Sequence, residues 1–148
     1  MPPPSARKIV FDTNIYIRAI HGGPTCVEYD LLLEFLSSTY LSSVVSAELF
    51  AGVTSPSGTR LVERFVDRSE RVGRVVTPTL ASWNEAGRIL AKITKQEPEF
   101  KTKIPRIFND VLIAMSALQI GAAVYTQDEQ DFQLIRRHKR FRLEIPRS

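Results

Sequence analysis

The stretch Lys8-Ile9-Val10-Phe11-Asp12-Thr13-Asn14 constrains this chain more than any other. Three apolar residues run straight into an acid, a hydroxyl and an amide, with helical-looking sequence behind them. A short continuous apolar run bounded by polar residues reads as a buried strand, parallel and covered on both faces. In open parallel sheets, ligands bind just beyond the carboxyl ends of the strands, which is where Asp12 is expected. A lone acid there is equally a strand-end turn residue. Its meaning depends on whether later segments bring other acids to the same edge.

Similar runs recur along the chain. Strands are expected at 41–45, 73–76, 122–126 and 141–145. Between them, helices are expected over 15–20, 27–40, 47–52, 60–70, 77–96, 106–120 and 131–137. Ser46 reads as the N-cap that places Glu48 in a first helical turn. Trp83, Ile89, Leu90 and Ile93 read as core, and Gly121 as the cap that ends the helix before it. Strands alternating with helices specify an α/β domain with a mainly parallel sheet and right-handed crossovers. At 148 residues the chain makes one domain with a core of its own. Residues 1–7, with three prolines, read as a flexible leader to a single domain over 8–148.

Composition removes several classes. Cys26 is the only cysteine, which excludes an internal disulfide and a thiolate metal cluster. One thiol without an export signal fits a reducing cytosol, and no apolar run is long enough to span a bilayer. The net charge is +4 despite sixteen acids. If several acids share one site, the remaining surface is basic and suits a polyanion such as nucleic acid. On charge alone, a surplus that keeps a small protein soluble explains +4 equally well.

The acids fall at corresponding places. Asp12 follows the first strand, Glu48 the second, and Asp128 and Asp131 the strand at 122–126, while Asp110 lies early in the preceding helix. Each has a plain explanation as a helix-terminus or turn acid, and singly Glu48 and Asp131 suit it best. Together they would form a crowded carboxylate rim, in which like charges raise one another's pKa. A hard divalent cation relieves that conflict; Mg²⁺ and Mn²⁺ take oxygen ligands and act on phosphodiester bonds with water as nucleophile.

Four segments carry a resemblance: Val10–Asn14, Val45-Ser46-Ala47-Glu48-Leu49, Asn109-Asp110-Val111-Leu112-Ile113-Ala114, and Thr126-Gln127-Asp128-Glu129-Gln130-Asp131-Phe132. In this order they resemble the four motifs of PIN-domain nucleases, most of all the VapC-like toxins of toxin–antitoxin pairs. The resemblance implies an α/β/α sandwich around a mainly parallel sheet of four to five strands. It also implies a Mg²⁺- or Mn²⁺-dependent endoribonuclease with Asp12, Glu48, Asp110 and Asp128 as catalytic, metal-holding acids. Asp131 is similar to a further metal-holding acid of some members, and Thr13, Asn14 and Asn109 to supporting residues. A homodimer and a neutralising antitoxin, its tail filling the acidic groove, are implied as well.

Among the basic residues, Lys101, Lys103 and Arg106 lead into Asp110 and are the candidates for RNA contact. The arginines at 60, 64, 68 and 71 read as a solvated helix flank, and the run 136–140 as an exposed turn, with RNA binding the lesser alternative. His21 and His138 lie outside the expected site. Two rival readings differ in class. A haloacid-dehalogenase-like phosphatase needs a second Asp two positions after the first, where this chain has Asn14. A non-catalytic PIN-like module would bind RNA or a partner without cutting, and the complete acid set argues against it.

Overall fold

The computed structural model describes residues 7–146, so the expected leader at 1–7 falls, apart from Arg7, outside the described residues. Among the described residues five short strands form a three-stranded and a two-stranded sheet: β1 (Ile9–Phe11), β2 (Leu41–Ser42), β3 (Val75–Val76), β4 (Ala123–Tyr125) and β5 (Arg142–Glu144). β4 lies between β1 and β5, parallel to both, with Val10 opposite Val124 and Val124 opposite Leu143. β2 and β3 pair in parallel as well. A bridge from Ile9 to Thr39 and the Tyr40 N–H donating to the Ile9 carbonyl at 2.8 Å join that pair to β1. The strands therefore follow the order 3-2-1-4-5, with β1 in the middle as its three buried residues require. The order reverses between β1 and β4, which opens a crevice at their carboxyl ends.

Among the described residues seven α-helices cover the strands: α1 (Thr13–Gly22), α2 (Val27–Glu34), α3 (Ser43–Gly52), α4 (Pro56–Arg71), α5 (Leu80–Gln96), α6 (Ile104–Gln119) and α7 (Glu129–His138). α6 is the central one. Every residue from Asp110 to Ala117 is buried, and the helix packs on β1, β2 and β4 as well as on α5 and α7. Ala114 and Ala117, both fully buried, let its backbone approach closely. Gly121 follows α6 with φ of 69°, a left-handed conformation that costs glycine little. Among the described residues no helix is long and apolar enough to cross a membrane.

Several boundaries differ from the sequence expectation. The second strand stops at Ser42, whose hydroxyl accepts from the Val44 N–H, so α3 is capped at Ser42, four residues before the expected cap at Ser46. Val44 and Val45 favour strands intrinsically, but burial of Val45 and Leu49 on one helix face overrides that preference. α2 ends at Glu34 because Thr39 and Tyr40 are drawn into the sheet. The expected loop 97–105 is mostly a 3₁₀ turn over Pro98–Lys103 that runs into α6. Trp83 is not core: the inward face of α5 is Ser82, Ala86, Ile89, Leu90 and Ile93, which leaves Trp83 47% exposed against Phe108.

The close fit of α6 yields a stability test. Ala114→Leu is expected to lower the unfolding free energy by about 1–3 kcal/mol through overpacking. Gly87→Ala, on an exposed turn of α5 with nothing within 4 Å of an added Cβ, should raise it by about 0.5–1 kcal/mol. Urea unfolding followed by circular dichroism measures both.

Candidate metal centre at the sheet edge

Asp12 leaves β1 at the crevice and is 5% exposed. Its Oδ1 accepts the Thr13 N–H at 2.8 Å, which caps α1, and its Oδ2 accepts the Thr126 hydroxyl at 2.7 Å. Thr126 sits at the corresponding end of β4, fully buried. Its oxygen also accepts the Asp128 N–H at 2.9 Å and the Asn14 side-chain amide at 3.3 Å. Asn14 in turn accepts the Gln127 N–H through its side-chain oxygen at 3.3 Å. One hydroxyl thus ties the end of β1 to the loop that carries Asp128.

Glu48 approaches from α3. It is the sixth residue of that helix, so the first-turn explanation fails, and its place beside Val45 and Leu49 turns it inward. Thr13 donates its hydroxyl to one Glu48 oxygen at 2.7 Å, and the Asn109 amide reaches the other at 3.5 Å. Asp110 is the seventh residue of α6, beyond its first turn as well. Asp128 caps α7 by accepting the Asp131 N–H at 3.2 Å. Asp12 and Asp128 are therefore helix caps and rim acids at once, because both helices start at the sheet edge.

The structure brings Asp110, Asp128 and Asp131 together most tightly, with one oxygen of each within 4.8 Å of the others. Asp12 and Glu48 stand outside that triangle but act on it by charge. Burial first, and then the charges of Asp12, Asp128, Asp131 and Glu48, together push Asp110 up to about 9. Burial also raises Asp12, to about 6, against the lowering hydrogen bonds from Thr126 and Thr13. Asp131 is raised by burial and by Asp128. Asp110 Oδ2 is buried with no hydrogen-bond partner among the described residues. A buried acceptor left open beside other carboxylates, in a donor set made only of hard oxygens, fits a divalent cation of the Mg²⁺ or Mn²⁺ kind.

The basic candidates separate. Arg106 reaches Asp128 at 3.3 Å and Asp131 at 3.7 Å, from the exposed side of the rim. Lys103 lies over the Phe100 ring and its charge acts on Asp131. Lys101 is exposed on the same turn with no such tie among the described residues. Two residues were missed as site parts. Thr126 was visible only as a hydroxyl two positions before an acid. The bond from the Gln127 amide to Glu28 on α2, at 3.0 Å, joins segments 99 positions apart and had no sequence signal.

A profile of the PIN domain matches residues 9–137. The chain belongs to the PIN domain family, and its fold is the α/β/α one expected of it. Solved structures with the same fold include DNA-bound VapBC from Salmonella typhimurium, at 21% identity and TM-score 0.65, covering 94% of this chain and 98% of that one. VapBC2 from Rickettsia felis, bound to a DNA fragment from its promoter, aligns at 21% identity and TM-score 0.63 over the same shares, 94% and 98%. VapBC-1 from nontypeable Haemophilus influenzae aligns at 21% identity and TM-score 0.62, over 93% of this chain and 96% of that one. No curated protein matches the chain.

The raised acids have a defined signature in stability. A carboxyl whose folded pKa exceeds its unfolded value keeps more protons in the folded state between the two values. Its contribution is complete below the unfolded pKa and is lost as pH rises to the folded one. In EDTA, unfolding free energy should thus fall from about pH 4 through the 6 of Asp12 toward the 9 of Asp110. Asp110→Asn should flatten the upper part of that slope; an unchanged profile in chemical denaturation would place the charge strain elsewhere.

Arg106 offers a separate test. Its guanidinium meets two of the three clustered acids, so Arg106→Ala should tighten Mn²⁺ binding. For an exposed pair worth about 0.2–1 kcal/mol, the change is about 1.4- to 5-fold. Calorimetric titration with Mn²⁺ reads it directly.

Proposed function

We propose that this protein is an endoribonuclease of the VapC-like toxin kind, dependent on Mg²⁺ or Mn²⁺ and hydrolysing phosphodiester bonds of RNA. The observation that carries the reading is the carboxylate rim itself, with Asp110 Oδ2 buried, unpartnered and raised by every neighbouring acid. Asp110, Asp128 and Asp131 would hold the ion most directly, with Asp12 and Glu48 completing the charge around it. When bound, such an ion supplies a water nucleophile and stabilises the charge that develops on the phosphoryl oxygens.

The rest of the chemistry falls to the chain. Thr13 and Thr126 hold Glu48 and Asp12 in fixed orientations through 2.7 Å hydrogen bonds, so these acids need not reorganise as charge develops. Asn14 and Asn109 support the same two acids through Thr126 and through Glu48. Arg106 and Lys103, beside Asp128 and Asp131, would meet substrate phosphate, a reading their charge and proximity support.

A cognate antitoxin partner and a homodimer belong to the same proposal. Its support is an apolar cleft of ≈ 420 Å³ between α1, α2 and α4, lined in part by Ala19, Leu32, Leu33, Leu61 and Phe65. Leu33 and Leu61 are 59% and 51% exposed there. Apolar surface of this kind on a small domain marks a protein contact.

The decisive experiment is incubation of the purified protein with tRNA and ribosomal RNA in Mn²⁺. Cleavage should occur in wild type and vanish in Asp12→Asn and Asp110→Asn, with circular dichroism unchanged. Thr126→Val should reduce it by about 10- to 100-fold, as for other groups that orient metal-holding acids. Absence of cleavage by wild type on either RNA would end the nuclease reading.

A further inference from the structure

A second charged feature lies at the opposite end of the sheet from the acids. Five of the chain's 20 Lys and Arg residues fall between positions 136 and 142, a stretch without an acid, and they exceed the net charge of +4. The expected exposed turn is in fact the last turn of α7 followed by a tight return into β5. Two adjoining clefts open here. One, of ≈ 260 Å³, is lined by Gln133, Arg136, Arg137 and Arg140. The other, of ≈ 390 Å³, shares Arg136 and Arg140, adds Arg142, and has Phe141 among its apolar lining.

Two of the four arginines are held by the backbone, and the other two are exposed beside them. Arg136 donates from Nε to the Phe141 carbonyl at 2.9 Å, and the Arg142 guanidinium donates to the Gly121 carbonyl. Among the described residues none of the five cations has an ion-pair partner; the charge of Lys139 contributes to lowering the pKa of Glu85 on α5. Cations in the last turn of α7 complement the helix dipole, yet Arg140 and Arg142 lie beyond the helix and gain nothing from it.

We propose that these arginine-walled clefts bind the phosphodiester backbone of RNA, as an accessory site that holds the strand away from the acid rim. Guanidinium forks match phosphate oxygens bidentately. Two clefts sharing a wall present successive anion positions, which suits a backbone better than a single phosphate. The apolar lining of the second cleft, where Leu118 is 37% exposed over the buried Phe141, suits the sugar side of a strand. The inference rests on the nuclease reading for its choice of RNA. α7 separates the two sites by its ten residues, roughly 15 Å at 1.5 Å per residue. Bridging that distance takes on the order of five stacked nucleotides at 3.4 Å each.

The test uses Arg137→Gln/Arg140→Gln, which spares the two arginines bound to backbone carbonyls. Fluorescence anisotropy of a labelled single-stranded RNA 12-mer is measured in the Asp110→Asn background across a salt series. The double variant should bind on the order of tenfold more weakly, and the salt slope should fall by about 1.4, near 0.7 per lost phosphate contact. Arg137→Lys/Arg140→Lys should keep most of the slope. Unchanged affinity and slope in a protein with wild-type circular dichroism would overturn the proposal. So would unchanged RNA binding with loss of a poly-glutamate peptide, which would assign the clefts to an acidic protein. If RNA binding falls as expected while wild type cleaves nothing in Mn²⁺, the accessory site stands and the nuclease reading alone fails.

Discussion

Carboxylates do not gather in a partly buried crevice without a reason, and the crowding around Asp110 is the constraint on which the rest of this molecule depends. Asp110 is 8% exposed and faces four other acids, so its charged form is opposed by burial and by repulsion together. Among the described residues its Oδ2 has no hydrogen-bond partner. Elsewhere, hydrogen bonds restrain the neighbouring acids: Asp12 by Thr13 and Thr126, Glu48 by Thr13 and Asn109. The fold thus spends structure on orienting the outer acids and leaves the innermost one open. That asymmetry is what a cation site requires, since bound metal must find ligands already in place and one acceptor not yet satisfied.

The same geometry explains how the acids serve two purposes. Asp12 and Asp128 cap α1 and α7, whose N-termini meet the carboxyl edge of β1 and β4. A helix N-terminus favours negative charge, so capping offsets part of the cost of holding acids close together. Asp110 and Glu48 have no such help. They lie in the second turns of α6 and α3 and are carried inward by the apolar faces of those helices. The cost of placing them is therefore met by packing, through Val45 and Leu49 on one side and the buried run 111–117 on the other.

Much of the sheet was legible because continuous apolar runs such as Ile9–Phe11 leave few alternatives to a central strand. Helix α6 was legible for the same reason, from Ile113, Ala114 and Ala117 below Asp110. The errors were local. Val44-Val45 looked like strand and became helix, and Trp83 looked like core and became surface. Both turn on a register that neighbouring elements set, Ser42 as cap in one case and the Ser82–Ile93 face of α5 in the other. The two arginine clefts likewise needed the return of β5 beside β4 before a charge run became a surface with shape.

What the sequence determined by itself was the class of fold, the order of its elements and the identity of the acids, because hydrophobic period and chain order are local properties. Tertiary structure alone decided which acids meet. It drew Asp110, Asp128 and Asp131 into one triangle and left Asp12 and Glu48 beside it. It also made Thr126 the link between β1 and the Asp128 loop, and gave Arg106 two acids to contact. The physical reason is distance. Charges and hydrogen bonds act over a few ångströms between residues tens of positions apart, and only the 3-2-1-4-5 order of the strands brings those positions within reach.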